Sequence, residues 1–358
     1  MPRLLGLTQS AFNPADRVRL IQFIPYLERA GWSVDFRPNR PDRRWDSRLP
    51  NRLLRSVHFR AGRALMKFNR WRDVQAASGV DAVFVNRDLA GSGLLLEKML
   101  VSRNPRVVFD FDDAIFLGPD ERSVAWMCAN AAWVTPGNEY LAAFARRHSS
   151  RVTVLPTVID TGRYEVATPR EHDQPVRVGW SGSDGSIAVT LFPYLPMLEA
   201  LQTRLGFEFV IITNTPPRLP VSKLRFSFVP WKADEEGMLA RHMDIGLMPL
   251  VDNPFQRGKC GLKLLQYMAA GLPTVASPVG VNAEITINGE TGFLARTANE
   301  WSTALEAMIG SLELRTTLGL AGRKRCVAEY SVSRWLPQLI EILQRVARQE
   351  AKVTSNLA

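Results

Sequence analysis

Lys259 and Lys263 stand four residues apart in Gly258-Lys259-Cys260-Gly261-Leu262-Lys263-Leu264-Leu265-Gln266, a glycine-opened loop running into an apolar, helix-forming stretch. Gly258 and Gly261 let the backbone turn tightly and bring its N–H groups close to a ligand. A helix starting here would aim unpaired N–H donors and the positive end of its dipole at the same point, which suits an anion. If the helix already includes both lysines, they share one face, with Gln266 three residues past Lys263 on that face. Leu262, Leu265 and Ala269 would then form the opposite, core-facing stripe. Two ammonium groups and a helix N-terminus converging on one point describe a diphosphate site. The alternative is an ordinary surface turn with two solvated lysines.

The elements that must position these residues alternate strand and helix. Arg3–Thr8 reads as a first strand, and 15–31 as an amphipathic helix that Pro25 should kink or break near Ile24. Further strands are expected at 34–36, 81–86, 106–113, 132–138 and 152–157, with helices over 91–101 and 139–148 between them. A second series follows at 177–180, 207–213, 225–230, 245–249, 274–277 and 292–295, closed by a helix over 333–348. Such alternation predicts α/β domains with parallel sheets and ligands outside the carboxyl ends of the strands. At 358 residues the chain is long enough for two cores. The expected division is 1–165, with a basic insertion at 37–73, then 166–335, then a terminal helix in 336–358 that crosses back to the first domain. Residues 158–175, with Pro169, Asp173 and Pro175, read as the linker.

The donor-loop segment Gly258–Ser277, ending in Ala270-Gly271-Leu272-Pro273 and an apolar strand, resembles the retaining GT-B glycosyltransferases of family four. Val279-Gly280-Val281-Asn282-Ala283-Glu284 resembles that family's glycine loop and downstream glutamate, Asp244–Pro249 its preceding strand, and Tyr330-Ser331 its closing Tyr-Ser pair. The resemblance covers most of 176–345 and, more loosely, the first half. It implies two Rossmann-like domains facing across a cleft, a nucleotide-diphosphate sugar donor and a glycan or lipid-linked acceptor. It also implies transfer with retention, no cofactor and no obligatory metal. Two glutamates that the family carries eight positions apart fall here on Gly258 and Gln266. Its Arg/Lys pair is missing too, since no Lys or Arg lies between Val178 and Thr203. Lys259 and Lys263 are expected to supply that charge and, with the N–H groups around Gly261, to stabilise the leaving diphosphate. Gln266 is expected to hold the ribose, and Glu284 and the backbone of Gly280 to Asn282 to orient nucleotide or sugar. The departures also fit a non-catalytic nucleotide-sugar or glycan-binding partner of a polysaccharide assembly. A GT-B epimerase that adds water is the third reading.

Other constellations are weaker. Gly182-Ser183 would turn over the diphosphate, and Trp231 would hold the nucleobase or serve as core. Asp110, Asp112 and Asp113 imitate a metal-gripping Asp-x-Asp. Asp112 at a strand's carboxyl end instead faces the acceptor or the transferred sugar, or caps the next segment. No metal ligand set is read from the four histidines or the three separated cysteines. The cysteines argue against a disulfide framework and for a reducing compartment.

Charge is unevenly placed. From Arg37 to Arg72 there are twelve basic residues against Asp42 and Asp46, a local +10 that equals the formal charge of the whole chain. Arginines alternate there with Leu53, Leu54, Val57, Leu65, Met66, Phe68 and Trp71, the pattern of a basic amphipathic helix. An anionic membrane surface, a solvated face and, less favoured, nucleic acid are its three uses. The apolar run in Met1–Leu7 is too short for a signal peptide, and no stretch reaches the length of a membrane span. The expected location is the cytoplasm, with peripheral attachment to the inner face of the membrane through 37–73.

Overall fold

The computed structural model describes residues 1–39, 52–90, 93–168, 174–220 and 222–349. The expected contributions of Arg40, Arg43, Arg44, Arg48, Gly91, Pro169 and Asp173 lie outside those residues, as do the side chains of Arg52, Leu53, Leu54 and Arg55. The chain forms two compact units: Met1–Pro156 with Trp335–Ala358, and Thr157–Arg334.

The first unit runs β1 (Arg3–Thr8), α1 (Pro14–Arg19), α2 (Ile24–Arg29), β2 (Ser33–Pro38) and α3 (Arg52–Ala76). It continues with β3 (Ala82–Asn86), α4 (Leu95–Arg103), β4 (Val107–Phe111), α5 (Glu121–Asn130), β5 (Trp133–Pro136) and α6 (Glu139–Arg146). All five strands pair in parallel in the order β2-β1-β3-β4-β5. Every residue of β3 and β4 is buried, as expected of strands covered by helices on both faces. Pro25 sits in the first turn of α2, where its missing N–H costs nothing, and the expected break falls just before Ile24. Residues 152–157 do not form the expected strand; Val152 makes only a single bridge to Val134.

The core of this unit is tied by Arg19 and Asp110, whose side chains are 1% and 0% exposed. Arg19 grips the carboxylate in a fork, at 2.6 and 3.0 Å. Asn86 Nδ2 and Thr135 Oγ1 each donate to the same carboxylate at 2.8 Å. The remaining Arg19 donors reach the carbonyls of Leu155 and Thr135. Asp110 is therefore part of the core and not of a metal-gripping Asp-x-Asp.

The second unit runs β6 (Arg177–Ser181), α7 (Asp184–Thr190), α8 (Leu195–Leu205), β7 (Glu208–Thr213), β8 (Phe226–Pro230) and β9 (Ile245–Met248). Then follow α9 (Pro254–Arg257), α10 (Leu262–Ala269), β10 (Thr274–Ala276), α11 (Asn282–Ile285), β11 (Phe293–Leu294), α12 (Ala298–Gly310) and α13 (Leu312–Glu329). The last helix, α14 (Val332–Ala347), passes into the first unit from Trp335 on, where Arg345 lies 5.9 Å over the Trp133 ring. The six strands of the second unit are parallel in the order β11-β10-β9-β6-β7-β8.

Both strand orders reverse direction once, at β1/β3 in the first unit and at β6/β9 in the second. Chain leaving the carboxyl ends of the two strands at such a point diverges and opens a crevice, the usual ligand position in this class of sheet. Removing one member of the Arg19–Asp110 pair leaves a buried charge without its counter-ion, a loss of about 3–5 kcal/mol. Asp110→Ala and Arg19→Met should each lower the urea midpoint, and the double variant should fall less than the sum of the two. Additive losses would show that the two side chains are not coupled.

Candidate functional site

In the second unit the crevice is built by the segments after β6 and β9. Trp180, fully buried at the end of β6, presents its indole face to Lys263, whose Nζ lies 4.1 Å from the ring centroid. Gly182 follows immediately. A Cβ there would stand 2.7 Å from Lys263 Nζ and press on the Trp180 ring, so only glycine leaves room for the ammonium. Gly261 caps α10 with φ of +71°, which a glycine adopts without strain, and no side chain caps the first turn of that helix. The open N–H groups at the start of α10 thus lie beside the residue that carries the cation.

Because α10 begins at Leu262, Lys259 precedes it and the two lysines do not share a helical face. They still interact. Burial first, and Lys259 second, push the Lys263 ammonium down to about 7. Among the described residues no carboxylate pairs with Lys263. Lys259 lies 5.2 Å over the Phe255 ring and lines an open depression of about 470 Å³ with Ser183, Ser186, Asn253, Phe255 and Gln256. Of the sequence-derived residues, Ser183 and Lys259 thus line the depression, while Gly182 lies against Lys263 in the turn of helix that Gly261 opens. Nor is α10 an amphipathic helix with one core stripe: Leu264 to Ala269 are all buried.

The other sequence-derived residues take different places. Gln266 is buried, and its Nε2 donates to Glu236 Oε1 at 2.6 Å and to Tyr164 at 3.5 Å. Glu236, half-buried at the start of a 3-10 turn (Glu236–Arg241), thus sets a carboxylate on the Gln266 amide. Asn282 is fully buried and donates to the Ser277 carbonyl at 3.0 Å, so its side chain holds the turn rather than facing solvent. Gly280, at φ of +55°, backs onto the Arg257 carbonyl. Glu284 is exposed, and its backbone carbonyl accepts from Arg325 at 3.0 Å. Trp231 is half-buried against the core beneath β8.

The first unit has its own polar cluster at the β1/β3 crevice. Asp16 is fully buried and accepts from the backbone N–H groups of Gln9 at 3.3 Å and Ser10 at 2.8 Å. Burial raises its carboxyl to about 7, against the opposing pull of those N–H groups and of Arg87. Arg87, just past β3, is the one non-glycine residue at positive φ (+66°) among those described. From that strained position it clamps Asp112 at 2.8 Å and Asp113 at 2.6 Å. Gln9 Nε2 donates to Asp88. Asp112 is thus held by Arg87 rather than serving as a cap.

Sequence reasoning missed Trp180, Glu236, Asp16 and Arg87. Trp180 carried a signal, an aromatic at a strand end directly before Gly182-Ser183. The Glu236–Gln266 contact and the left-handed backbone of Arg87 arise only from tertiary placement.

Comparison with known proteins agrees with this architecture. Residues 194–311, which hold α8 to α12, match the family model described as glycosyl transferases group 1. A stretch of 95 residues is 30% identical to alpha-maltose-1-phosphate synthase of Mycolicibacterium smegmatis, over 24% of this chain and 24% of that protein. The match thus spans about a quarter of that relative's length. Sucrose-phosphate synthase of Thermosynechococcus elongatus superposes with a TM-score of 0.69 at 17% identity, over 96% of this chain and 99% of the other. HepE of Anabaena, solved with UDP and glucose, gives 0.67 at 16% identity, over 96% of this chain and all of the other. At these identities the likeness is one of fold: two parallel-sheet, Rossmann-like units of the GT-B type.

An ammonium held at about 7 in the folded state titrates near 10.5 once unfolded, so between those values the folded protein binds fewer protons. Its penalty is complete below about 7, shrinks as pH rises and is gone above 10.5. Lys263→Met should therefore raise the thermal midpoint at pH 6, with a gain that shrinks steadily towards pH 10. A gain independent of pH, or a loss at pH 6, would contradict the unbalanced ammonium.

Proposed function

We propose that the chain is a glycosyltransferase that moves a sugar from a nucleotide-diphosphate sugar to a glycan or lipid-linked acceptor. The observation that carries this reading is the Lys263 ammonium at the open start of α10, beside Lys259 and, among the described residues, with no carboxylate to balance it. A diphosphate supplies the missing negative charge, restores the lysine's proton and accepts from the α10 N–H groups.

In this reading the acceptor hydroxyl forms its bond to the anomeric carbon as the carbon–oxygen bond to the β-phosphate breaks. The bonding electrons leave on the phosphate oxygen, and the hydroxyl proton is released. Retention requires the hydroxyl to arrive on the face that the phosphate leaves. Lys259, Lys263 and the N–H groups after Gly261 then stabilise the charge that grows on the leaving diphosphate, the task a divalent cation has in metal-dependent relatives. Glu236, positioned by Gln266, would accept from the ribose hydroxyls, a standard role for a carboxylate in such sheets. The Asp16–Arg87–Asp112 cluster would receive the acceptor. Synthesis of a cell-surface polysaccharide or glycolipid is the setting in which such a donor and acceptor meet.

The neutral residues at 258 and 266 favour a second reading, a nucleotide-sugar-binding partner without turnover. One panel separates them: thermal shift with UDP, GDP, ADP and TDP and their common sugar conjugates in EDTA, followed by turnover with any conjugate that binds. A specific shift that is lost in Lys263→Ala and weakened in Gly182→Ala, with turnover reduced roughly 10²–10³-fold in Lys263→Ala, is the expected result. A shift without turnover would select the binding partner. No shift with any nucleotide would overturn the donor site.

A further inference from the structure

On α3 the residues Val57, Ala61, Ala64, Phe68 and Trp71 recur at alternating steps of four and three, so they form one straight stripe along the helix. That stripe faces outward. Val57 is 57% exposed, Phe68 54% and Trp71 41%, with Leu65 exposed beside them. The Phe68 and Trp71 rings stack on each other at 5.8 Å. Exposed Arg60 and Lys67 flank one side and Arg72 the other, and no Asp or Glu occurs from Ser56 to Arg72.

The opposite face is firmly anchored. Arg70 is fully buried and donates to the Thr8 carbonyl at 2.6 Å and the Leu89 carbonyl at 2.9 Å, and Val74 and Ala77 are fully buried beneath it. The apolar stripe is therefore not the side by which α3 joins its own unit. Among the described residues no helix is long and apolar enough to cross a membrane.

We infer that this outer face of α3 docks on an anionic lipid surface. Its ring pair and aliphatic stripe would enter the headgroup–acyl boundary while Arg60, Lys67 and Arg72 meet the anionic headgroups. A second copy of the chain would set these cations against their own kind. A nucleic acid would answer the cations and leave the aliphatic stripe without a partner. Through Arg70 the same helix sits over the carboxyl ends of β1 and β3, next to Asp16 and Arg87. A lipid-linked acceptor would so be delivered to that cluster, a consequence that rests on the proposed function, whereas docking itself does not.

The test is flotation of the full chain with phosphatidylcholine vesicles, with and without phosphatidylglycerol, at low and high salt. The wild type should float only with the anionic vesicles and come off as salt rises. Arg60→Gln/Lys67→Gln should weaken partitioning by about fivefold per charge removed. Phe68→Ser/Trp71→Ser should weaken it on the order of tenfold with an unchanged melting profile, since both rings are exposed. Vesicle binding lost in these variants while nucleotide shifts persist would separate docking from the donor reading. Failure to float with anionic vesicles would overturn the inference. So would flotation insensitive to the ring substitutions, or single-stranded RNA that binds more tightly than vesicles with the same variant sensitivity.

Discussion

A half-buried ammonium that no carboxylate among the described residues balances is the constraint around which the second unit is arranged. Lys263 projects from the first turn of a helix whose side chains from Leu264 to Ala269 are buried, which fixes the backbone from which the ammonium reaches the Trp180 face. What surrounds it is polarisable or absent rather than anionic: the Trp180 face, the missing Cβ of Gly182 and a second lysine near by. Burial and the second lysine cost stability, the Trp180 face offsets part of that cost, and a positive site is kept open. Such a combination is expected where a ligand completes the charge balance, because binding energy then restores what folding left unsatisfied.

The first unit solves the opposite problem at the equivalent place in its sheet. There the carboxylates outnumber the cations, and Arg87 accepts an unfavourable backbone conformation to hold Asp112 and Asp113 together. Deeper in, Arg19 and Asp110 cancel each other completely and fix the strand ends. A balanced core pair, a strained cluster at the crevice and an unbalanced lysine in the other unit thus have distinct roles. Only the last two are in positions where a ligand is expected from strand order.

Much of this was legible in the residues. Apolar runs such as Ala82–Val85 and Val107–Phe109 mark buried parallel strands, and Pro25 marks the break between α1 and α2. Gly261 and Lys263 stand out as candidates by type and spacing, and Gly182 more weakly. Spacing puts Lys259 on the same helical face, but the helix starts three residues after it, since a glycine at positive φ decides that boundary. Less legible were the groups defined by contact across the fold. The Asn282 side chain, buried under the turn whose backbone the sequence offers to a ligand, donates to the Ser277 carbonyl, and Asp110 looked like part of an acidic motif but belongs to Arg19. The carboxylate beside Gln266 comes from Glu236, thirty residues away in another element, which no local pattern announces. Residues 152–157 have the composition of a strand, yet they run beside β5 only as far as the Leu155 N–H on the Pro136 carbonyl and form no regular strand.

The central claim is that nucleotide diphosphate binds by completing the charge at Lys263. Calorimetric titration of UDP, GDP, ADP and TDP at pH 8, in two buffers of different ionisation enthalpy, measures the protons exchanged on binding. At that pH the lysine of the free protein is mostly neutral. The nucleotide that binds should therefore draw close to one proton into the complex, and this uptake should vanish in Lys263→Met. Binding without proton uptake, or with the same uptake in the variant, would show that the diphosphate is held by something other than this lysine.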